Sequence, residues 1–414
     1  MKLNKPVFCV IFNLAFVIAF FSQQPVKILF DAKKAQTAGN ADWVIDADQW
    51  NLLWNPNATL ASSGNQSNAQ RFPTPSQTLI TASTPETFWT GAISYWGIDC
   101  VKKGYQVETL PYSAQITYGN SSNPQDLSNY KVYIVCEPNI LFSTSEKTAI
   151  MQFVQNGGGL FLISDHTVSD RNFDGNDSPV IWNDFITNNG VLNSALGFTF
   201  DLANFSQTSS NIPNLPTDSI LHGPMGNVTQ VKWSGGTTLA LDPIQNPTVK
   251  GVVYKTGSSF GNSNVLFAYA RVGNGKVAAI GDSSPPDDGS GDPNDVLYDG
   301  YITDAAGNHQ RLLMNATIWL ARGGSSITGI PENSIAPISV YPNPVSDQLN
   351  FSFENNSSRT IQLTDLSGRM IRSVNVSDKT TSIDLKDLKA GIYFLKLLSE
   401  NKLILSQKII KLDN

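Results

Sequence analysis

Two short apolar segments flank an amphipathic one between residues 130 and 166, and this pattern constrains the fold more than any other feature of the chain. Residues 130–136 and 160–163 have the near-continuous apolar character of strands that are buried on both faces. Between them, Ser143 and Glu146 have the S-x-x-E spacing of a capping box at the start of a helix over 144–155. A strand, a helix and a second buried strand in this order predict a parallel β-α-β unit.

Further segments extend the same alternation of strands and helices. The sequence predicts strands at 26–31 and 105–110, a helix at 87–103 between them, a hairpin that joins 264–272 to 276–281, and a last helix at 309–322. A long irregular insertion precedes the hairpin. Together these elements predict an α/β domain over residues 23–322, with a flavodoxin-like parallel sheet and helices on both faces.

The segment 127–166, followed by the terminal hairpin, resembles ThuA-like and class I glutamine amidotransferase-like domains. The resemblance rests on the strand Tyr-Lys-Val-Tyr-Ile-Val, the S-x-x-E helix and the stretch Phe-Val-Gln-Asn-Gly-Gly-Gly-Leu-Phe-Leu-Ile-Ser-Asp-His at 153–166. True amidotransferases carry a nucleophilic cysteine in a G-x-C-x-G turn, whereas Cys136 is followed by Glu137-Pro138. Cysteine amidotransferase chemistry is therefore excluded, and no P-loop or HExxH motif occurs in the chain.

The carboxyl-terminal residues form a separate pattern of short alternating strands and turns, which predicts a small β-sandwich. The motifs run in order: Tyr-Pro-Asn-Pro at 341–344, Asp-Leu-Ser-Gly-Arg at 365–369 and Gly-Ile-Tyr-Phe-Leu-Lys at 391–396. This order resembles the type A C-terminal sorting domain of type IX secretion cargo, over residues 339–414. The resemblance implies export through the periplasm to the medium or the cell surface, with the type IX secretion machinery as the partner of this domain.

The amino terminus agrees with export. Lys2 and Lys5 precede an apolar run over 6–21, which is typical of a signal peptide at residues 1–22 and too short for a stable transmembrane segment. Residues 323–338 contain Gly-Gly-Ser-Ser and prolines, and they are predicted to form a linker. The net charge is −6 and the sequence has no basic stripe, so nucleic acid is not expected as a partner.

Acidic residues stand where the predicted strands end. Ligands of open parallel sheets bind outside the carboxyl ends of the strands, so these residues are the candidates for acid–base catalysis. The alternative is that each carboxylate caps the turn or helix that follows its strand. Six acids between 282 and 299 either surround a cation or form a solvated acidic loop. The candidate catalytic residues are Asp31, Glu137, Asp165, His166 and Asp282.

The insertion after His166 contains the form D-x-N-x-D-G, which is typical of a calcium loop because alternate oxygen ligands and a glycine suit a hard cation. The twelfth position is Ile181 and not glutamate, so the loop is not an EF-hand. The alternative is an Asx-rich turn without an ion. The predicted Ca²⁺ ligands are Asp170, Asn172, Asp174 and Asp177, with Asp184 as an alternative to Asp177.

Histidines and cysteines supply few other candidates. His166 is the best general base or metal ligand because it follows a strand-end acid, although a structural role is the alternative. His309 is placed to face the same edge from the last helix, whereas His222 is expected in a turn. Cys100 and Cys136 lie in apolar contexts and are expected to be buried thiols, with a disulfide as the alternative.

Tryptophans are the remaining signal for a ligand. Trp43, Trp50 and Trp54 follow the first strand, and Trp89 and Trp96 lie in the predicted first helix. Such rings either stack on the pyranose faces of a glycan or form the core-facing stripe of a helix.

Two functions therefore remain open from the sequence. The first is an exported hydrolase-like enzyme, with carbohydrate as a possible substrate class and the strand-end Asp and His residues as the acid–base groups. The second is a non-catalytic protein that binds glycans or a surface on an amidotransferase-like fold. Fold analogy alone cannot choose between them.

Overall fold

The computed structural model describes residues 25–34, 37–38, 41–46, 77–290, 300–322, 339–353, 355–365, 368–399 and 402–413. The chain divides into two compact units, Met1–Ser325 and Ser326–Asn414. The predicted signal peptide and linker lie outside the described residues. Among the described residues, no helix is long and apolar enough to cross a membrane.

The first unit contains fifteen strands and four α-helices in its described residues. The strands are β1 Lys27–Asp31, β2 Thr37–Ala38, β3 Ala41–Asp42, β4 Gln106–Leu110, β5 Val132–Cys136, β6 Gly159–Ile163, β7 Phe198–Phe200, β8 Phe205–Ser209, β9 His222–Gly223, β10 Gly226–Asn227, β11 Val231–Gly236, β12 Leu239–Leu241, β13 Lys250–Tyr254, β14 Val265–Val272 and β15 Gly275–Ile280. The helices are α1 Ser94–Lys102, α2 Thr144–Gln155, α3 Ser178–Thr187 and α4 His309–Ala321.

The main sheet is mixed, and the prediction of a parallel sheet is right for only part of it. Strands β4, β1, β5, β6 and β15 are adjacent in that order and parallel. The predicted hairpin then reverses the direction, because β14 pairs antiparallel with β15. Strands β12, β7 and β13 continue the sheet in antiparallel pairs. The insertion between β6 and β15 thus supplies sheet strands as well as loops.

Helices cover both faces of the parallel strands. Side chains alternate between faces along each strand: Ile28 and Phe30 of β1 face a core that includes α1 and α4, whereas Leu29 faces a core that includes α2 and α3. The strands are buried on both sides, which explains their near-continuous apolar sequences.

Helix α1 begins at Ser94, seven positions later than the predicted start at residue 87. Its amino terminus is fixed by Asp288, whose Oδ2 accepts from Ser94 Oγ at 2.7 Å and from the Tyr95 amide at 2.9 Å. Asp288 comes from the acidic run after β15, so no local signal marks this helix start. Residues Glu86–Phe88 form only one 3₁₀ turn.

The capping box of α2 is confirmed. Ser143 Oγ accepts from the Glu146 amide at 3.3 Å, and Glu146 Oε2 accepts from the Ser143 amide at 2.8 Å. Both bonds satisfy amides that have no partner within the helix.

Ser143→Ala should lower the free energy of unfolding by about 1 kcal/mol, because it removes the accepting hydroxyl of the cap. Urea denaturation followed by tryptophan fluorescence measures this, since all eight tryptophans precede residue 325 and report on the first unit only. Thr144→Ala is the matched control. An equal loss of stability in both variants would contradict the role of the cap.

Both cysteines of the described chain are free and buried. Cys136 lies on β5, and the sulfur of Cys100 lies 3.8 Å from that of Met314. They are the buried thiols that the sequence favoured.

The second unit is the predicted antiparallel β-sandwich. Its strands are β16 Ser339–Tyr341, β17 Gln348–Ser352, β18 Arg359–Thr364, β19 Met370–Val376, β20 Thr380–Asp384, β21 Gly391–Ser399 and β22 Lys402–Lys411. They form a three-stranded sheet, β16-β17-β20, and a four-stranded sheet, β19-β18-β21-β22. Leu349 and Phe351 from the first sheet share a core with Ile361, Leu363 and Leu395 from the second.

Candidate functional site

Three of the predicted strand-end acids meet at the carboxyl edge of the parallel strands. The strand register pairs Cys136 with Ile163 and Ile163 with Ile280. The residues that follow these positions, Glu137, Asp165 and Asp282, therefore leave the sheet side by side. All three carboxyl groups are buried. We call this group the acid cluster.

Glu137 is held in an unusual backbone conformation. Its φ of 43° lies in the left-handed region, which is uncommon for a residue with a side chain. Its Oε1 accepts from Arg171 Nε at 2.9 Å and its Oε2 accepts from Ser283 Oγ at 3.0 Å. Burial raises the pKa of Glu137 well above its ordinary value, although the charge of Arg171 opposes this.

Asp165 shares the same guanidinium. Its Oδ2 accepts from Arg171 Nη2 at 3.0 Å and lies 3.5 Å from His166 Nε2. Burial raises the pKa of Asp165 to about 7, and the nearby charge of Asp282 acts in the same direction. The nearby charge of Asp165 in turn helps to raise the pKa of Glu137. Mutual repulsion of this kind favours the protonated form of one carboxyl group.

Asp282 is fixed by backbone amides. Its Oδ2 accepts from the Ser234 amide at 2.6 Å and its Oδ1 from the Ser284 amide at 2.8 Å. Burial still raises the pKa of Asp282 to about 7. A Cβ at Gly236 would lie 2.6 Å from the Asp282 Cβ, so the glycine permits strand β11 to approach the cluster this closely.

His166 lies at the exposed side of the acid cluster, with 18% of its side chain accessible. Its Nδ1 is 2.5 Å from the Thr167 carbonyl oxygen, which can only accept a hydrogen bond. The other ring nitrogen, Nε2, faces Asp165. The side chain of Asn204 also reaches Nδ1, at 3.0 Å.

Arg171 is the site residue that the sequence reasoning missed. It is the only lysine or arginine between Lys147 and Lys232, and that isolation was the available signal. Asn139 Oδ1 accepts from the Arg171 amide at 3.0 Å and positions the loop that carries it. The guanidinium, with 29% of its side chain accessible, lies over two carboxylates and supplies the counter-charge of the cluster.

Asp31 is not part of the acid cluster, although it lies at the same edge. Its Oδ1 accepts from the amides of Lys33 at 2.9 Å and Lys34 at 2.8 Å, and its Oδ2 accepts from the hydroxyl of Tyr133. Burial raises the pKa of Asp31 despite these bonds. The carboxylate thus closes the turn after β1, as the capping alternative predicted for a single strand-end acid.

The predicted calcium loop forms a hydrogen-bonded turn. Asp170 accepts from the amides of Asp174 at 3.2 Å and Gly175 at 2.8 Å, and Asn172 Nδ2 lies 3.1 Å from Asp174 Oδ2. Asp177 instead caps α3 and accepts from the Val168 amide at 2.7 Å. Within the described ranges, no group of three or more His, Cys, Asp or Glu residues is placed to hold a metal ion.

The calcium prediction can be tested directly. If Asp170, Asn172 and Asp174 bind Ca²⁺, the melting temperature of metal-stripped protein should rise with calcium concentration by linkage. Asp170→Ala combined with Asp174→Ala should abolish the rise, and Mg²⁺ should replace Ca²⁺ poorly. Equal melting curves in calcium and in chelator would show that the loop is only a turn.

The other histidines have structural surroundings. His309 is buried, and its Nδ1 donates to the Gly300 carbonyl at 2.7 Å while Nε2 accepts from the Lys232 amide at 2.9 Å. Burial lowers the pKa of His309. Both ring nitrogens bond to backbone groups, which is a structural role. His222 lies in the tight β9–β10 hairpin, close to the turn that was predicted.

The candidate tryptophans that the structure describes do not offer the rings that the glycan interpretation needs. Trp43, Trp89 and Trp96 are at most 4% exposed and belong to the core. Trp50 and Trp54 lie outside the described residues. The acidic run is likewise not a solvated loop in its described part, because Asp282, Asp287 and Asp288 are buried.

Comparison with known proteins identifies the second unit. Residues 339–412 match the family described as the Secretion system C-terminal sorting domain. The protein is therefore secreted or displayed at the cell surface, as cargo of the type IX secretion system. No curated protein matches the chain.

Solved structures show distant similarity to each unit. The mmIFT52 N-terminal domain is 12% identical with a TM-score of 0.41, over 72% of this chain and 100% of that one. A DUF3244 family protein with an immunoglobulin-like β-sandwich from Bacteroides vulgatus is 18% identical with a TM-score of 0.17, over 19% and 86%. A β-galactosidase from Halorubrum lacusprofundi is 15% identical with a TM-score of 0.32, over 87% of this chain and 39% of its own.

Proposed function

We propose that the first unit is a non-catalytic binding domain that the sorting domain delivers to the outside of the cell. Its fold is that of an amidotransferase-like or ThuA-like domain, without the nucleophilic cysteine of true amidotransferases. Numbered along the chain, the five parallel strands have the order 2-1-3-4-5, which supports a flavodoxin-like assignment of this part of the sheet.

The observation that carries the proposal is the saturation of the acid cluster. Both oxygens of Glu137 and both oxygens of Asp282 accept hydrogen bonds from neighbouring groups. Arg171 covers the oxygen of Asp165 that faces His166. The exposed fraction of the side chain is 0% for Glu137 and 4% for Asp165. A reacting atom would have to displace Arg171 or Ser283 to reach the bonded oxygens of Glu137 and Asp165, so the intact network serves to hold the loops of the edge in place.

A second candidate is the hydrolase-like enzyme, with carbohydrate as a possible substrate class. The proximity of Asp165 and His166 favours it, because the acid faces Nε2 while the Thr167 carbonyl holds the other ring nitrogen. In that function the partly exposed His166 is the general acid or base and Asp165 orients it. The backbone strain at Glu137 is of the kind found at reactive sites.

A turnover assay separates the two candidates. Full-length protein should convert none of a panel of chromogenic esters, glycosides, amides and phosphate esters above background. His166→Ala and Asp165→Asn should give the same background, with His222→Ala as a matched control on an exposed histidine. Turnover in the parent that disappears in His166→Ala and persists in His222→Ala would overturn the non-catalytic function.

A further inference from the structure

An open cleft of about 990 Å³ lies at the same edge of the sheet, away from the acid cluster. The lining comes from Lys33, from the loop after β4 and from the first turns of α2. The loop residues are Gln115, Ile116, Thr117, Tyr118 and Asn120, and the residues at the start of α2 are Ser143, Thr144, Ser145, Glu146, Thr148, Ala149 and Gln152. Its size is within the range of small-ligand sites, and the carboxyl edge of parallel strands is where such sites occur. We call this the β4–α2 cleft.

The charged side chains of the cleft compensate one another. Among the described residues that line it, Lys33 and Glu146 are the only charged ones. Glu146 Oε2 accepts from Lys34 Nζ at 2.6 Å, and Glu146 Oε1 lies 3.8 Å from Lys33 Nζ. Glu146 also completes the capping box of α2. A carboxylate that already serves two partners adds little attraction for a cation, and Lys33 beside it adds little for an anion.

Four neutral polar side chains of the lining have no hydrogen-bond partner among the described residues. The side chains of Gln115, Thr144 and Gln152 make no hydrogen bond to any residue that the structure describes. The hydroxyl of Tyr118 has no such bond either. Carboxamides and hydroxyls both donate and accept, which is what the hydroxyl groups of a sugar require. Ile116 and Ala149, nearly buried, add apolar surface for the C–H faces of a sugar ring.

Hydrogen bonds within the protein support both walls of the cleft without a ligand. Asp126 accepts from Thr117 Oγ1 at 2.6 Å and from the amides of Gly119 and Asn120 at 2.9 Å. Burial alone would raise the pKa of Asp126, but these bonds and those from Ser128 outweigh it and lower the pKa to about 2. The capping box fixes the opposite wall. A preorganised site loses little entropy when it binds.

We propose that the β4–α2 cleft binds a neutral oligosaccharide through Gln115, Gln152 and Tyr118. This proposal rests on the non-catalytic binding function and names its ligand class. It also places the glycan site in this cleft and not at the tryptophans, because Trp43, Trp89 and Trp96 are buried in the core.

An oligosaccharide array tests the ligand class. Full-length protein should bind short neutral hexose or pentose oligomers and should not bind oligogalacturonides or sulfated oligosaccharides. A preference for the acidic sugars, or no binding to any neutral one, would overturn the proposal.

Calorimetry with the neutral oligosaccharide that binds best then tests whether the β4–α2 cleft is the binding site. Gln115→Ala combined with Gln152→Ala should raise Kd about tenfold or more, because two side-chain hydrogen bonds are lost. Gln245→Ala, an exposed carboxamide outside the cleft, should leave Kd unchanged. The double variant should unfold at the parental urea concentration, since neither glutamine side chain bonds to a described residue.

The outcomes separate this proposal from the function on which it rests. Unchanged affinity in the double variant would overturn the cleft as the site while leaving a non-catalytic binding domain intact. Cleavage of the bound sugar by the parent would instead overturn the non-catalytic function, whichever variants bind.

Discussion

Replacing Arg171 by alanine should lower the free energy of unfolding of the first unit by about 3 kcal/mol at pH 8, close to the cost of breaking a buried ion pair. The guanidinium bridges Glu137 and Asp165 at 2.9 and 3.0 Å, so its removal leaves two buried carboxyl groups without a counter-charge. The loss should be smaller at pH 5, about 1 kcal/mol, because protonated carboxyl groups need hydrogen bonds but no cation.

Urea denaturation at the two pH values, followed by tryptophan fluorescence, measures this difference. Arg311→Ala is the matched control, because its exposed guanidinium donates to the Asn227 carbonyl at 3.0 Å and pairs with no carboxylate in the described chain. That control should lose less than about 1 kcal/mol at either pH. Equal losses for Arg171→Ala at pH 5 and pH 8 would show that Arg171 contributes packing and not charge.

The free energy of unfolding of the first unit should include a contribution from buried acids that decreases as the pH rises from about 4 to about 7. Asp165 and Asp282 have folded-state pKa values of about 7 against an ordinary value of 3.8. The folded state therefore holds protons that the unfolded chain has already released in this interval. The component is fully present below the unfolded pKa and is lost as the pH rises through about 7. At about 1.4 kcal/mol per pKa unit, each group contributes up to about 4 kcal/mol.

Other groups act in the opposite direction, so the measurement must compare variants. His309, whose pKa burial lowers, favours the folded state at higher pH. The quantity to measure is the slope of unfolding free energy against pH for the parent, Asp165→Asn and Asp282→Asn. Each variant should remove part of the downward slope, whereas Asp242→Asn, in an exposed loop, should not. Identical slopes in all four proteins would contradict the raised pKa values.

Local patterns in the sequence predicted the frame of the first unit. The apolar strands β5 and β6 and the capping box of α2 are determined by neighbours in the chain, and each lies within two residues of its predicted bounds. The hairpin of β14 and β15 was marked in the same way by Gly273-Asn274-Gly275. The antiparallel strands β7 and β12 were not predicted, because a strand of three residues is too short to show a recognisable hydrophobic periodicity.

Contacts distant in sequence account for what was missed. Helix α1 begins where Asp288 binds it, 194 positions away from Ser94. The strand-end rule placed Glu137, Asp165 and Asp282 together, because the carboxyl ends of adjacent parallel strands meet. The same rule failed for Asp31, because its carboxylate accepts a hydrogen bond from the hydroxyl of Tyr133 on the neighbouring strand and does not join the acid cluster. Arg171 reaches the acid cluster from an irregular insertion. Such a loop has no hydrophobic periodicity from which its position beside the sheet could be predicted.

The role of the strand-end acids can be decided by incubating full-length protein with the neutral oligosaccharide that it binds best. Mass spectrometry of the sugar and calorimetry of the parent and His166→Ala are then read together. We predict that the sugar is recovered intact and that the two Kd values agree within about twofold, a difference of less than 0.5 kcal/mol in binding free energy. Cleavage products that form with the parent and fail to form with His166→Ala would show that the acid cluster is an active site.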